Sequence, residues 1–151
     1  IQASLVGSEM CIRDSYKAAD NGVKIKMIVR GICCLIPTQH KNIKIISIID
    51  RFLEHTRIFI FNNNKKNETY ISSADWMTRN LDNRVEVTCP IHDSKIKKEI
   101  NDIFNIYWSD NVKSRLINQK DANVYKSDIK KSNSIRSQLE IYNYYKSKIE
   151  N

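Results

Sequence analysis

Two apolar runs constrain this chain more than any other feature. Val23 to Arg30 and Ile43 to Ile49 are of strand length, rich in β-branched residues, and separated by a loop from Gly31 to Asn42 that carries Pro37. Both read as buried strands, because β-branched side chains suit a packed, pleated surface and turn residues bound each run. Before the first of them, Tyr16 to Asp20 reads as the end of a helix stopped by Asn21-Gly22. The chain therefore opens in the manner of an α/β unit.

The remaining elements extend that pattern. Arg57 to Phe61, the polar turn Asn62 to Asn67 and Glu68 to Ser72 form a hairpin. Asn83 to Pro90 sets Val85, Val87 and Cys89 on one face and Arg84, Glu86 and Thr88 on the other, which predicts a strand half covered by the next helix. Asp93 is suited to cap a helix reaching about Ser109, with Ile96, Ile100, Ile103, Phe104 and Tyr107 at helical spacing. A second helix is expected from about Asn133 to Ile149, with Ile135, Leu139, Tyr142, Tyr145 and Ile149 on one stripe, and the polar stretch Asn111 to Ser132 reads as irregular. The expected fold class is α/β, a mixed sheet flanked by helices. Residues 1–15, IQASLVGSEMCIRDS, differ in texture and lack the basic start, long apolar stretch and small-residue cleavage site of a secretory signal; they are set apart as a leader or artefact, leaving 16–151 as the domain.

Composition narrows the function classes. With 151 residues, 41% hydrophobic and 28% charged, the chain has the make-up of an ordinary globular domain. Its richest apolar run, Ile43 to Leu53, is interrupted by Lys44, Asp50 and Arg51 and falls short of the roughly eighteen residues of a membrane span. The formal charge of +8 points to an anionic partner, and the segment from Asn111 onward carries nine Lys/Arg against four Asp/Glu. Four cysteines, Cys11, Cys33, Cys34 and Cys89, form no CxxC pair, so neither a metal site nor a disulfide framework is expected, and a reducing cytoplasmic setting is the default. Cys33 and Cys34 read as small buried residues at a strand end.

The residues with chemistry to offer lie around the strand ends. Arg30 closes a buried strand just before Gly31, where a guanidinium can grip two phosphate oxygens at the ligand-facing end of a sheet. His55 precedes a strand and sits two residues from Arg57, so the two side chains share a face if the segment is extended. An imidazole can serve as acid, base or phosphate acceptor, with the neighbouring arginine neutralising the phosphate it handles. Ser72, Ser73 and Asp75, in the turn after the next strand, could orient His55 or hydrogen-bond phosphate; Asp75 could equally cap the turn from Trp76 to Asn80. His40 and His92 have weaker claims, the first in a polar loop and the second at a helix start. This is the residue set of phosphoryl transfer, in which positioning and charge neutralisation supply most of the catalysis.

Four stretches in order, Val29-Arg-Gly-Ile-Cys-Cys-Leu-Ile-Pro37, Ile45-Ile-Ser-Ile-Ile-Asp-Arg-Phe-Leu-Glu-His-Thr-Arg-Ile-Phe59, Ser72-Ser-Ala-Asp-Trp-Met-Thr-Arg-Asn80 and Arg84-Val-Glu-Val87, together with Gln138-Leu-Glu-Ile-Tyr142, resemble the carboxy-terminal part of the bacterial polyphosphate kinase family. The resemblance runs from about Tyr16 to the end and leaves residues 1–15 outside it. It implies a phospholipase-D-like domain and a reversible transfer of the terminal phosphate of ATP to inorganic polyphosphate through a phosphohistidine. It implies further that His55 is the histidine of this domain beside the ATP phosphates and that Arg30 binds nucleotide phosphate. Arg57, Ser72, Ser73 and Asp75 stand as supporting residues from their place in the sequence.

The same resemblance puts the phosphate-accepting histidine and the magnesium ligands in the preceding domain, so this chain is expected to be a fragment inactive on its own. ATP, ADP and polyphosphate are then the expected partners, Mg2+ the implied cofactor, and a cytoplasmic homo-oligomer, with peripheral membrane association an option, the expected setting. Where phospholipase D has His-x-Lys and Gly-Ser-x-Asn, this chain has His55-Thr-Arg57 and Ser72-Ser-Ala-Asp75, so lipase chemistry is not implied. Two rivals remain: a basic nucleic-acid-binding module, suggested by Tyr142, Tyr144 and Tyr145 near Lys146 and Lys148, and a phospholipase-D-like nuclease half active as a dimer.

Overall fold

A computed structural model describes residues 2–3, 6–37, 40–64, 66–118, 124–126 and 133–150. In chain order its elements are β1 (Gln2–Ala3), α1 (Glu9–Asp20), β2 (Ile25–Val29), β3 (Ile43–Ile48), β4 (Ile58–Asn63), β5 (Lys66–Ser72), α2 (Thr78–Leu81), β6 (Thr88–Ile91), α3 (Ser94–Ser109), β7 (Ser114–Ile117) and α4 (Ser137–Ile149). The strands form one seven-stranded sheet in the order β6-β5-β4-β1-β2-β3-β7. β1, β2 and β3 are parallel to one another; β4 is antiparallel to β1, β7 to β3, and β4, β5 and β6 run antiparallel in succession. The sheet is mixed, as the apolar runs and the hairpin require.

The two apolar runs are buried because both faces of the sheet are covered. Met27, Val29, Ile43 and Ile45 face α1, packing with Ala19, Val6 and Leu35. Ile28, Ile46 and Ile48 point the other way, onto Phe104 and Tyr107 of α3. α1 ends where Asn21-Gly22 was expected to stop it, with Gly22 at φ +84°, a left-handed conformation that suits glycine. Asp93 caps α3 by accepting from the backbone N–H groups of Lys95 and Ile96 at 2.8 and 2.9 Å.

Several expectations need correction. Where they are described, the residues set apart at 1–15 are packed into the fold: Gln2–Ala3 pairs between β2 and β4, Val6 is fully buried, and the helix expected near Tyr16 begins at Glu9. The expected strand from Asn83 to Pro90 is only Thr88–Ile91, and it is not half covered. Val85 and Val87 are 99% and 67% exposed, because pairing with β5 begins only at Thr88, on the outer edge of the sheet. Cys33 is half-buried and Cys34 exposed, so the pair is not a buried strand end.

The polar stretch after α3 hides β7, which pairs with β3 from Ile45–Ile117 to Ile48–Ser114; the rest of the stretch from 119 to 123 and from 127 to 132 lies outside the described residues. The second helix starts at Ser137, and its supposed apolar stripe is open to solvent, with Leu139, Tyr142 and Ile149 all more than half exposed. α4 docks instead by polar bonds. Tyr145 Oη and Lys148 Nζ donate to Glu99 at 2.9 and 2.6 Å, Tyr144 Oη donates to Asp102 at 3.1 Å, and Ile141, outside the expected stripe, packs against the α3 cluster.

Two buried carboxylates fix the start of α4. Asp110, fully buried, accepts with Oδ1 from the backbone N–H groups of Val112, Lys113 and Ser114 (3.0, 2.7 and 3.0 Å) and with Oδ2 from that of Ser137 (2.7 Å). It thereby ties the end of α3 to the start of β7 and the first turn of α4. Asp50, just past β3, takes a two-pronged contact from Arg136, Nε to Oδ2 at 2.8 Å and Nη2 to Oδ1 at 2.6 Å.

Asp110→Ala strands four backbone donors in a buried setting, so equilibrium denaturation should show a loss of about 3 kcal/mol or more, and a loss under about 1 kcal/mol would contradict this role. Hydrogen bonds from Arg136 hold the Asp50 carboxyl below the ordinary carboxylate range. The contribution of a lowered carboxylate is complete above its unfolded value, about pH 4, and is lost as pH falls through the folded one. The stability gap between the parent and Asp50→Asn, followed by urea melts, should therefore stay level from neutral pH down to about pH 4 and narrow only as the pH falls below that.

Candidate functional site

At one end of the sheet lies an ion pair that is almost wholly withdrawn from solvent. Arg57, one residue before β4, and Asp75, in the turn after β5, have side chains 8% and 6% exposed. Arg57 Nε donates to Asp75 Oδ1 at 2.9 Å and Nη2 to Oδ2 at 3.1 Å, the fork-on-fork geometry that fixes a guanidinium plane. The strand pairing brings them together: the Arg57 carbonyl accepts from Ser72 N–H at 3.0 Å, extending the β4–β5 ladder by one step into the turn that holds Asp75. The hydrogen bonds from Arg57 to Asp75 raise the guanidinium pKa further above its usual value, and it remains charged throughout the accessible pH range.

The third nitrogen of Arg57 faces His55. Nη1 lies 3.1 Å from His55 Nδ1, 3.4 Å from Nε2, and 3.3 Å from the His55 carbonyl. A guanidinium only donates, so the ring nitrogen that pairs with Nη1 must accept; pairing through the nearer one, Nδ1, corresponds to the tautomer with its proton on Nε2. Asp75 thus reaches His55 through Arg57; the residue preceding α2 is Met77. Same-face placement of His55 and Arg57 follows from the extended backbone around them.

Ser72 and Ser73 shape the wall beside this pair. Ser73 Oγ donates to Glu86 Oε2 and accepts from Val87 N–H at 3.0 Å, while Asn80 Nδ2 donates to Glu86 Oε1 at 2.7 Å. Ser72 Oγ accepts from Ala74 N–H at 3.1 Å and lies 2.8 Å from Thr88 Oγ1. Both hydroxyls are engaged within the turn. The hydrogen bonds from Ser73, then Asn80, hold the Glu86 carboxyl below its ordinary range. A cavity of about 370 Å3 opens here, lined by His55, Arg57, Ile71, Ser72, Ser73, Val87 and Cys89.

His55 itself stands on an irregular segment between β3 and β4, exposed, on the rim shared with a second cavity of about 480 Å3 that is lined by Phe52 to Thr56, Tyr107, Gln138 and Ile141. The segment is tied to distant elements. Glu54 accepts from Tyr107 Oη at 2.5 Å and from Gln138 Nε2 at 2.7 Å, and Gln138 also pairs with the backbone of Phe52.

Arg30 follows β2 at the same end of the sheet. Ile28 and Ile58 are both level with Gln2, so Arg30 and Arg57 lie past the same edge row, with β1 between their strands and about 10 Å between the two backbones. One guanidinium nitrogen of Arg30, Nη1, is buried with no hydrogen-bond partner among the described residues. His40 is placed elsewhere, 3.1 Å from Asp20 and stacked on Tyr16, and His92 is exposed between β6 and α3. The structure thus gathers His55, Arg57, Ser72 and Ser73 around one cavity, pairs Asp75 with Arg57 beside it, and sets Arg30 along the same sheet end. Sequence reasoning missed Asn80, Glu86, Glu54, Tyr107 and Gln138. Glu54, Asn80, Glu86 and Gln138 fall inside the stretches that carry the family resemblance, with no role assigned to them there, and Tyr107 was read only as a position on the apolar face of a helix.

Comparison with known proteins bears on the family and the fold. A family model described as polyphosphate kinase C-terminal domain 2 matches residues 3–138. The chain is 50% identical over 136 residues to a polyphosphate kinase of Vibrio parahaemolyticus, covering 87% of this chain and 19% of that protein, and 45% identical over 137 residues to one of Escherichia coli, covering 87% and 20%. A crystal structure of polyphosphate kinase from Porphyromonas gingivalis superposes with a TM-score of 0.92 at 43% identity, over 99% of this chain and 23% of that one. The shared architecture is the mixed α/β, phospholipase-D-like fold expected from the sequence. The chain spans about a fifth of the length of these curated relatives. It belongs to the polyphosphate kinase family and corresponds to that family's C-terminal domain 2.

Proposed function

We propose that this chain supplies one half of the active site of a polyphosphate kinase, an enzyme that reversibly moves the terminal phosphate of ATP to inorganic polyphosphate. The observation that carries this reading is the Arg57–Asp75 pair, a fixed positive charge presented to His55 at the rim of a cavity. In this reading, Nε2–H of His55 donates to an oxygen of the moving phosphoryl group or of its leaving partner, while Arg57 holds the ring in the tautomer that leaves that proton available. Arg30 brings the second cation, and a phosphate oxygen provides the acceptor its buried Nη1 otherwise lacks. The wall formed by Ser72 and Ser73 sets the cavity's shape rather than donating to phosphate.

The histidine that takes the phosphate covalently lies in the preceding domain, and the fragment is inactive without it. Mg2+, which the family implies, has no fit here: among the described residues no group of three or more His, Cys, Asp or Glu side chains converges. No step is therefore routed through a cation on this domain. ATP, ADP and polyphosphate are the partners, and a cytoplasmic homo-oligomer is the setting of the intact enzyme. No helix of the described chain is long and apolar enough to cross a membrane.

The nucleic-acid reading rested on the tyrosines and lysines of α4. Tyr144, Tyr145 and Lys148 are bound to Asp102 and Glu99, with Lys148 also 4.4 Å above the Tyr144 ring. Groups already paired with carboxylates make a poor phosphate track, so this reading loses its main support.

In an intact enzyme carrying this domain, His55→Ala should lower kcat by about a hundredfold or more while moving stability by no more than about 0.5 kcal/mol, as expected for an exposed side chain. Unchanged turnover would remove His55 from the mechanism. Asp75→Asn breaks a buried ion pair from one side, so denaturation should show a loss of about 3 kcal/mol, with activity falling alongside; a variant of parental stability would contradict the pairing.

A further inference from the structure

His55 sits on backbone that belongs to no strand or helix, so its placement depends on what holds residues 50 to 54. On the far side, Arg57 grips His55 through its carbonyl and ring. On the near side the holding groups come from more than eighty residues away. Gln138 Oε1 accepts from Phe52 N–H at 3.1 Å, and its Nε2 donates to the Phe52 carbonyl at 2.9 Å and to Glu54 Oε1 at 2.7 Å. A single side-chain amide thus pairs with both backbone groups of Phe52, as a neighbouring strand would, and with the carboxylate next to His55. Tyr107 Oη fixes the other oxygen of Glu54, and the Arg136–Asp50 fork anchors the start of the segment.

We infer that Gln138 is a positioning residue for His55: the first turn of α4 clamps the segment carrying His55 through Phe52 and Glu54, and so sets where the imidazole meets the phosphate. This rests on the catalytic reading of His55 given above. Gln138 touches neither the ring nor the cavity shared by Ser72 and Ser73, so its effect is on geometry. Misplacement of a catalytic group by about 1 Å is enough to lower turnover a hundredfold. Nucleotide binding through Arg30, on another strand, is not changed by the clamp.

The test is made in an intact polyphosphate kinase carrying this domain, with amide exchange in the 151-residue chain as a second readout. Gln138→Ala should lower kcat by about ten- to a hundredfold with KM for ATP changed by less than about threefold, and should selectively speed exchange at Phe52 N–H. Gln138→Glu sets two carboxylates against each other and should be as impaired. Combining it with Glu54→Gln restores the amide–carboxylate pair and the acceptors for Phe52 N–H and Tyr107, though not the donor to the Phe52 carbonyl, so the double variant should recover part of the activity lost in Gln138→Glu without reaching the parent. A purely structural role would lower melting temperature without this reciprocal rescue. Gln138→Ala with parental kcat and parental exchange at Phe52 would overturn the inference while leaving His55 standing. An active His55→Ala with altered Phe52 exchange in Gln138→Ala would instead overturn the catalytic reading and keep only the clamp.

Discussion

The site depends on one buried charge pair. Arg57 and Asp75 are both nearly excluded from water, and neither could be tolerated there alone, since an unpaired buried charge costs several kcal/mol. Their pairing consumes two of the arginine's nitrogens and leaves the third directed at His55. In the proposed reaction, the guanidinium would then need no reorganisation when a phosphate arrives, the condition under which electrostatic stabilisation is most effective. Ladder hydrogen bonding between β4 and β5 sets the pair, so hairpin register and site geometry are one constraint.

Around that pair, the end of the sheet is assembled from segments far apart in sequence. Arg30 comes from β2, Asp50 from the end of β3, His55 and Arg57 from the approach to β4, Asp75 from the turn after β5, and Gln138 from α4. What keeps the last of these in place is Asp110, whose two oxygens join β7 and α4. The described part of the final helix covers little apolar surface. Its work is to deliver Arg136 and Gln138 to the segment on which His55 stands, which explains why so much of its apolar stripe faces solvent.

How far the sequence could foretell this varied with the range of the interaction. The central strands were legible because Val23 to Arg30 and Ile43 to Ile49 are apolar at five of eight and five of seven positions, with adjacent apolar residues that call for burial on both faces. His55 and Arg57 were legible because two residues apart on extended backbone means one face. Asp75 was placed in the right turn but not on the right partner, since nothing local distinguishes a cap from an ion pair to Arg57 across the hairpin. β7 escaped notice because a short strand held by β3 and by a buried aspartate needs little hydrophobicity of its own. Val85 and Val87 misled for the converse reason: period-two alternation was present on a stretch that approaches the sheet only at its edge. Gln138 stood within a stretch that carried the resemblance but gave no sign of its own role, because that role exists only once α4 is docked.

The central claim is that this domain recognises phosphate through a built site rather than through its overall positive charge. Calorimetric titration of inorganic polyphosphate and ATP into the 151-residue chain, its Arg30→Ala variant and its Lys146→Ala variant, at low and moderate salt, tests it most directly, because the two variants lose the same charge at different places. The account predicts that Arg30→Ala weakens binding by about tenfold or more at both salt concentrations, as expected for loss of a charge-assisted, partly buried contact, and that Lys146→Ala changes it little. Equal weakening by both variants, vanishing as salt is raised, would contradict it.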